Sequence, residues 1–95
     1  MYFLAEFYVP STGADPRAVT RRAATAAGSL ELEGTRVQFL RAVFVPSDEI
    51  GFALYRASTP DAVANAGERA GLRFDRIREA VPTLDDTAHL ERSGT

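Results

Sequence analysis

The feature that most constrains the fold of this chain is a pair of apolar segments, residues 36–45 and 50–57, separated by only four residues. Both segments contain several aromatic and β-branched residues, and the stretch 46–49 between them is typical of a turn. A helix start follows directly, because the Thr59 hydroxyl can cap a helix and Pro60 suits its first position. The order strand, turn, strand and helix therefore predicts a β-hairpin that leads straight into a helix.

Further elements are predicted on both sides of this hairpin. Residues 2–9 form an aromatic and apolar run that predicts a buried strand. Asp15 and Pro16 then predict a helix start, and apolar residues spaced by four, three and four positions carry the helix to about residue 33. Residues 76–81 predict a fourth strand after the second helix. The order β-α-β-β-α-β predicts an α+β, ferredoxin-like fold, in which two helices cover one face of a four-stranded antiparallel sheet.

Composition places the chain among ordinary globular proteins. Hydrophobic residues make up 45% and charged residues 25% of the 95 positions, and the net charge is −2 with both signs interspersed. A nucleic-acid-binding protein usually carries a basic stripe, which this sequence lacks. No apolar run is long enough to cross a membrane, and the first residues do not have the pattern of a signal peptide. We therefore expect a cytoplasmic protein without nucleic-acid or membrane partners.

The two ends of the chain differ in pattern. We expect residues 1–82 to form the ferredoxin-like domain, and residues 83–95, which are polar and lack apolar periodicity, to form a flexible C-terminal tail. The chain contains no cysteine, which excludes disulfides, thiol catalysis and cysteine-ligated metal centres. His89 is the only histidine, and one imidazole in a tail cannot build a nickel or zinc site. We therefore expect neither a metal nor another cofactor.

Several segments, read in order, resemble a known family. Residues 6–10, 39–49 and 64–72, together with 75–77, are similar to a family of small actinobacterial proteins. Members are often described as nickel-binding-protein-like or as having unknown function. The similarity covers roughly residues 2–82 and rests on the order of the motifs rather than on any single one. It implies a ferredoxin-like fold and a homodimer.

The same resemblance identifies where this chain departs from the metal-binding relatives. In those relatives histidines carry the nickel, including one in a segment like Ala-His-Glu-Arg-Ala-Gly. Here the corresponding segment is 66–71, and Gly67 stands in place of the imidazole. Many relatives also have a cysteine early in the third strand, where this chain has Gly51. The resemblance therefore implies the family's fold and assembly, but no tight nickel or zinc binding.

Candidate ligand-binding residues are polar or amphipathic side chains within the predicted strands. A carboxylate in mid-strand is depleted by propensity, and one that faces a pocket can act as an acid or a base. Two such carboxylates lie in the first and fourth strands, which neighbour each other in this fold, so we expect them to share one face. Arg41, Arg56 and Arg78 are their possible partners, and simple cross-strand ion pairing is the plainer interpretation. The candidates are Glu6, Tyr8, Arg41, Tyr55 and Glu79.

Two functions remain open at this point. The first is a small homodimeric binding or accessory protein whose ligand lies at the sheet face. The alternative is a cofactor-free enzyme of the dimeric α+β barrel type, an isomerase, cyclase or oxygenase, with Glu6, Tyr8, Arg41 and Glu79 as its acid–base set; this alternative rests on fold analogy alone. A homodimer is expected because the strands are apolar on both faces, and the helices can cover only one. In the second strand, simple alternation predicts Phe39 and Val43 on one face and Leu40, Ala42 and Phe44 on the other.

Overall fold

The computed structural model describes residues 1–10, 12–13 and 15–83. Its elements are β1 (Tyr2–Tyr8), α1 (Pro16–Leu32), β2 (Val37–Val45), a 3₁₀ turn (Pro46–Asp48), β3 (Ile50–Ala57), α2 (Pro60–Arg69) and β4 (Phe74–Ala80). The strands form one antiparallel sheet in the order β2-β3-β1-β4. This is the ferredoxin-like arrangement, so the predicted fold class is confirmed. The predicted tail lies, except for Thr83, outside the described residues.

Both helices begin as their sequences predict. The Asp15 carboxylate accepts a 3.1 Å hydrogen bond from the backbone N–H of Arg17 and caps α1. The Thr59 hydroxyl accepts one of 3.2 Å from the backbone N–H of Ala62 and caps α2. Proline occupies the first position of each helix, where its missing N–H has no intrahelical partner to lose. Gly71, with a φ of 76°, follows α2 in the left-handed conformation that commonly ends a helix.

The core lies between the helices and one face of the sheet. Every strand contributes at least one aromatic ring to it, and neighbouring ring centroids lie 5.6 to 6.1 Å apart. These rings belong to Phe7, Phe39, Phe44, Tyr55 and Phe74. The helices present mostly alanines to the rings, with Leu30 and Val63 as the larger exceptions. Small helix residues let the helix backbones approach a sheet face that is itself built from large side chains.

A β-bulge in β2 changes which side chains enter this core. The pairing register shifts between Phe39 and Arg41, so that Phe39 lies opposite Tyr55 on the helix side. Val43 lies opposite Phe52 on the other side. The prediction that Phe39 and Val43 share a face is therefore wrong. The bulge supplies one extra residue, which reverses the alternation for the rest of the strand.

The edge strand β4 begins two residues earlier than the sequence predicts. Phe74 pairs with Phe7, and a second irregularity follows before Glu6 pairs with Arg76. The ring of Phe74 fills the space beside α2, where a Cβ atom at Gly67 would overlap it. Packing of this ring against the helix explains why residues without a clear strand pattern join the sheet.

Candidate ligand-binding face of the sheet

The sheet face opposite the helices, called the open face below, is formed by the residues that alternate with the core residues. No element among the described residues covers it. By strand, it consists of Gln38, Arg41, Val43 and Val45 of β2, Ile50, Phe52, Leu54 and Arg56 of β3, Tyr2, Leu4, Glu6 and Tyr8 of β1, and Arg76, Arg78 and Ala80 of β4.

The centre of the open face is apolar and accessible. Val43 is 53% exposed and Leu4 is 37% exposed, and Phe52 and Leu54 between them are half-buried. A four-stranded sheet of this length spans about 19 Å across its strands and about 23 Å along them. The whole face thus has an area on the order of 400 Å², and an accessible apolar centre with a polar rim is typical of an interaction site.

Arginine side chains border this apolar centre. Arg41 on one edge strand and Arg78 on the other lie at the two ends of a row that crosses the sheet through Leu54 and Leu4. The next row runs from Val43 through Phe52 and Glu6 to Arg76. Arg56 lies one row further toward the end of β3.

The ion pairs of the described residues do not involve these charges. Among the described residues, the ion pair that forms joins Arg69 of α2 to Glu33 after α1, away from the open face. The hydrogen bond from Arg69 holds the pKa of the Glu33 carboxyl below its ordinary value. Glu6 and the arginines around it make no ion pair in the part of the chain that is described.

Three of the five predicted site residues lie on the open face. Glu6 is half-buried at its centre, and Arg41 is exposed at its edge. Tyr8 is 62% exposed, and its hydroxyl donates a 3.4 Å hydrogen bond to Oε1 of Glu49 at the end of the β2–β3 turn. The structure therefore brings these three residues to one surface. Arg41 and Glu6 are not neighbours there, because β3 lies between the strands that carry them.

Glu79 does not join them. It lies opposite Phe3, whose side chain enters the core, so Glu79 belongs to the helix side at the exposed edge of β4. The expectation that Glu6 and Glu79 share a face is wrong. Strand neighbourhood was predicted correctly, but the register places Arg76, not Glu79, opposite Glu6.

Tyr55 is also absent from the open face. Its side chain is fully buried between the sheet and the helices, with ring contacts to Phe39 and Phe74. Its hydroxyl has no hydrogen-bond partner among the described residues, and burial raises the pKa of Tyr55 to about 12. This tyrosine serves as core, and its orphaned hydroxyl is the one such buried side-chain group in the described part of the chain.

Arg76 is the open-face residue that sequence reasoning missed. Arg56 and Arg78 were expected only as partners of the carboxylates. A signal was available, because Arg76 and Arg78 alternate around Ile77 and must share one face of an extended strand. Ile77 packs against the core, so both arginines lie on the open side.

A cleft of about 660 Å³ adjoins the open face where β2 begins and β3 ends. Arg56 and Gln38 line both this cleft and the open face. Arg36 contributes a second cation to the cleft, and Glu31 at the end of α1 contributes one carboxylate. The volume falls within the range of small-molecule binding sites.

The described ranges contain no metal-binding cluster and no helix that could span a membrane. No group of three or more His, Asp or Glu side chains there is placed to hold a metal ion. His89 lies outside those ranges. No described helix combines the length and apolar character needed to cross a membrane.

Comparison with known proteins supports the fold class defined above. The chain is similar to the crystal structure of SCO4226 from Streptomyces coelicolor A3(2), with a TM-score of 0.68 and 23% sequence identity. The match covers 87% of this chain and 99% of that one. At this identity the similarity shows a shared fold. No protein family matches by sequence profile, and no curated protein matches by sequence.

Proposed function

We propose that this protein is a small cytoplasmic binding or accessory protein, whose two identical protomers join through the open face and hold a ligand there. The observation that carries the proposal is the apolar centre of that face, which no described residue covers and where Leu4 and Val43 are accessible. Water contact with such an area is unfavourable by about 25 cal/mol for each Å². Burial against another surface removes that cost.

A second copy of the chain is the simplest surface to cover the face. A two-fold axis brings the same patch of two protomers together, and this is the commonest symmetry among soluble oligomers. The resemblance noted above implies the same assembly. A ligand at this face would then lie between two sheets and be shielded from water, with Glu6, Tyr8 and Arg41 close to it.

The space around Gly67 and Gly51 does not favour a metal site like that of the resembled family. A Cβ atom at Gly67 would overlap the ring of Phe74, and one at Gly51 would lie 2.6 Å from Cζ of Phe7. Aromatic rings thus fill the space that ligand side chains would need at both positions. The absence of tight nickel binding stays a prediction, and calorimetric titration of tag-free protein with nickel tests it.

The enzyme alternative receives less support. It requires an acid–base set in which Glu79 stands beside Glu6, and the register places Glu79 on the helix side. The remaining open-face candidates, Glu6, Tyr8 and Arg41, suit ligand binding as well as catalysis. We therefore do not propose an enzymatic activity.

Sedimentation velocity at low micromolar concentration tests the assembly. We expect a single species of twice the 10.3 kDa protomer mass. Val43→Asp and Leu4→Asp should each shift the species to the monomer, because each replaces an apolar contact at the middle of the interface with a carboxylate that must lose its water on association.

Leu32→Asp is the matched control. Leu32 is 92% exposed at the end of α1, away from the open face, so this substitution should leave the dimer intact. A wild-type monomer would contradict the dimer. A dimer that survives both Val43→Asp and Leu4→Asp would show that the protomers join elsewhere.

A further inference from the structure

The charges on the open face are segregated along the strands. Arg41, Arg56 and Arg78 occupy the half toward the end of β3, and Arg76 lies beside Glu6 in the adjoining row, whereas Glu49 and Asp48 lie at the opposite end, in the β2–β3 turn. Arg56 and the turn are separated by the length of β3, about 20 Å. Glu6, opposite Arg76, is the one carboxylate among the strand residues of the open face.

The arginine half continues into the 660 Å³ cleft at the end of β3. Arg56 belongs to both surfaces, and Arg36 adds a second guanidinium inside the cleft. Glu31 offsets one of these charges, so the cleft and the adjoining half of the face together retain a surplus of positive charge. An anion in the mouth of this cleft would meet arginine side chains from β3 and from the residue that precedes β2.

The apolar surface of the open face begins next to these arginines. Leu54 follows Arg56 at the next open-face position of β3, and Leu4 lies directly opposite Leu54 on β1. Phe52 extends this surface by one further position. A ligand with a charged group bound at Arg56 can therefore pack an apolar group against these three side chains.

We propose that the ligand of this face is a small organic acid, with a carboxylate held by Arg56 and by the nearby Arg36 and Arg41, and an apolar body on Leu54, Leu4 and Phe52. This inference rests on the proposed function, since it assigns a chemical class to the ligand of the same face. Arginine binds carboxylates through paired, charge-assisted hydrogen bonds, which favour this head group over an uncharged one. The short extent of the arginine half fits one anionic group rather than a polyanion such as nucleic acid.

The same assignment reduces a difficulty of the dimer. Two open faces in contact bring eight arginines together against two copies of Glu6. Burying charges without partners is costly, and a bound carboxylate in each protomer lowers that cost. By linkage, the acid should therefore tighten the dimer.

Octanoate and its uncharged counterpart 1-octanol, both at pH 7, serve as probes in isothermal titration calorimetry. We expect octanoate to bind saturably, at one site per protomer, and about tenfold or more tightly than 1-octanol. Arg56→Gln should weaken octanoate binding by about the same factor and leave 1-octanol binding unchanged. Arg56→Lys, which keeps the charge, should lose less of the affinity for octanoate.

Arg22→Gln is the matched control, because Arg22 is exposed on α1 and should not affect octanoate. Circular dichroism verifies that each variant is folded. Equal affinity for the two probes, no saturable octanoate binding, or the same affinity in Arg56→Gln and Arg22→Gln would overturn the assignment. Sedimentation of the same samples separates the two proposals. A dimer that does not bind octanoate would overturn only the ligand class. A monomer that binds octanoate would overturn only the dimer.

Discussion

At the scale of single residues, Tyr55 departs most from its expected role. Its hydroxyl made it a candidate for a binding site, yet the side chain is fully buried without a partner for that hydroxyl among the described residues. Ring contacts with Phe39 and Phe74 explain why an aromatic side chain suits position 55 of the core. An unpaired buried hydroxyl costs about 1 to 3 kcal/mol.

Tyr55→Phe should therefore raise the free energy of unfolding at pH 7, by about 1 kcal/mol. It should also remove an alkaline instability. The pKa of Tyr55 is about 12 in the folded state and about 10 in the unfolded state. The protonated hydroxyl therefore favours the folded state fully below pH 10, and this contribution to the free energy of unfolding is lost as the pH rises through 12. Two pKa units correspond to about 2.7 kcal/mol.

Urea unfolding at fixed protein concentration, between pH 7 and pH 12, measures both effects. Wild type measured over the same pH range is the reference for both effects. A Tyr55→Phe variant that is less stable than wild type at pH 7 would mean that the hydroxyl has a partner after all.

At the scale of elements, the two edge strands are shaped by bulges that the sequence pattern does not reveal. The irregularity in β2 turns Arg41 to the open face, where simple alternation from Phe39 would have placed it in the core. The one in β4 separates Phe74 from Arg76 and leaves Arg76 and Arg78 on the open face. Bulges are common on edge strands, where they bend the strand and re-aim side chains.

The start of α2 provides the prediction at this scale. Thr59→Ala should lower the free energy of unfolding by about 1 kcal/mol, because the backbone N–H of Ala62 loses its acceptor at the positive end of the helix. Ser58→Ala is the control, since Ser58 is exposed and precedes the cap. Urea unfolding of both variants measures this difference. Equal losses in the free energy of unfolding would show that the Thr59 hydroxyl contributes nothing specific.

At the scale of the whole molecule, a single layer of two helices on one sheet leaves the other sheet face without cover in the described structure. If a second copy supplies that cover, unfolding and dissociation are coupled. The free energy of unfolding then rises by about 1.4 kcal/mol for each tenfold increase in protein concentration.

Calorimetric melting of the wild type at two concentrations should therefore give a higher Tm in the more concentrated sample. Val43→Asp should abolish this dependence, because it introduces a charge at the middle of the open face. Leu32→Asp should preserve it. A Tm that is the same at both concentrations in the wild type would contradict an obligate dimer.

The sequence by itself determined the element order, the helix caps at Asp15 and Thr59 and the class of fold. These properties depend on contacts between residues that are close in the chain, such as a cap with its own first turn or the alternation within one strand. Tyr8 and Glu6 lie on one face of β1, as alternation along a strand predicts, because β1 continues without interruption between them.

Only the tertiary structure decided the composition of the open face. Whether Arg41 or Glu79 lies on it depends on strand register and on single extra residues in β2 and β4, which are set by packing across the sheet. A shift of one residue moves every later side chain of a strand to the opposite face. The arginine-bordered surface therefore arises from the pairing of four strands, and local sequence patterns do not encode it.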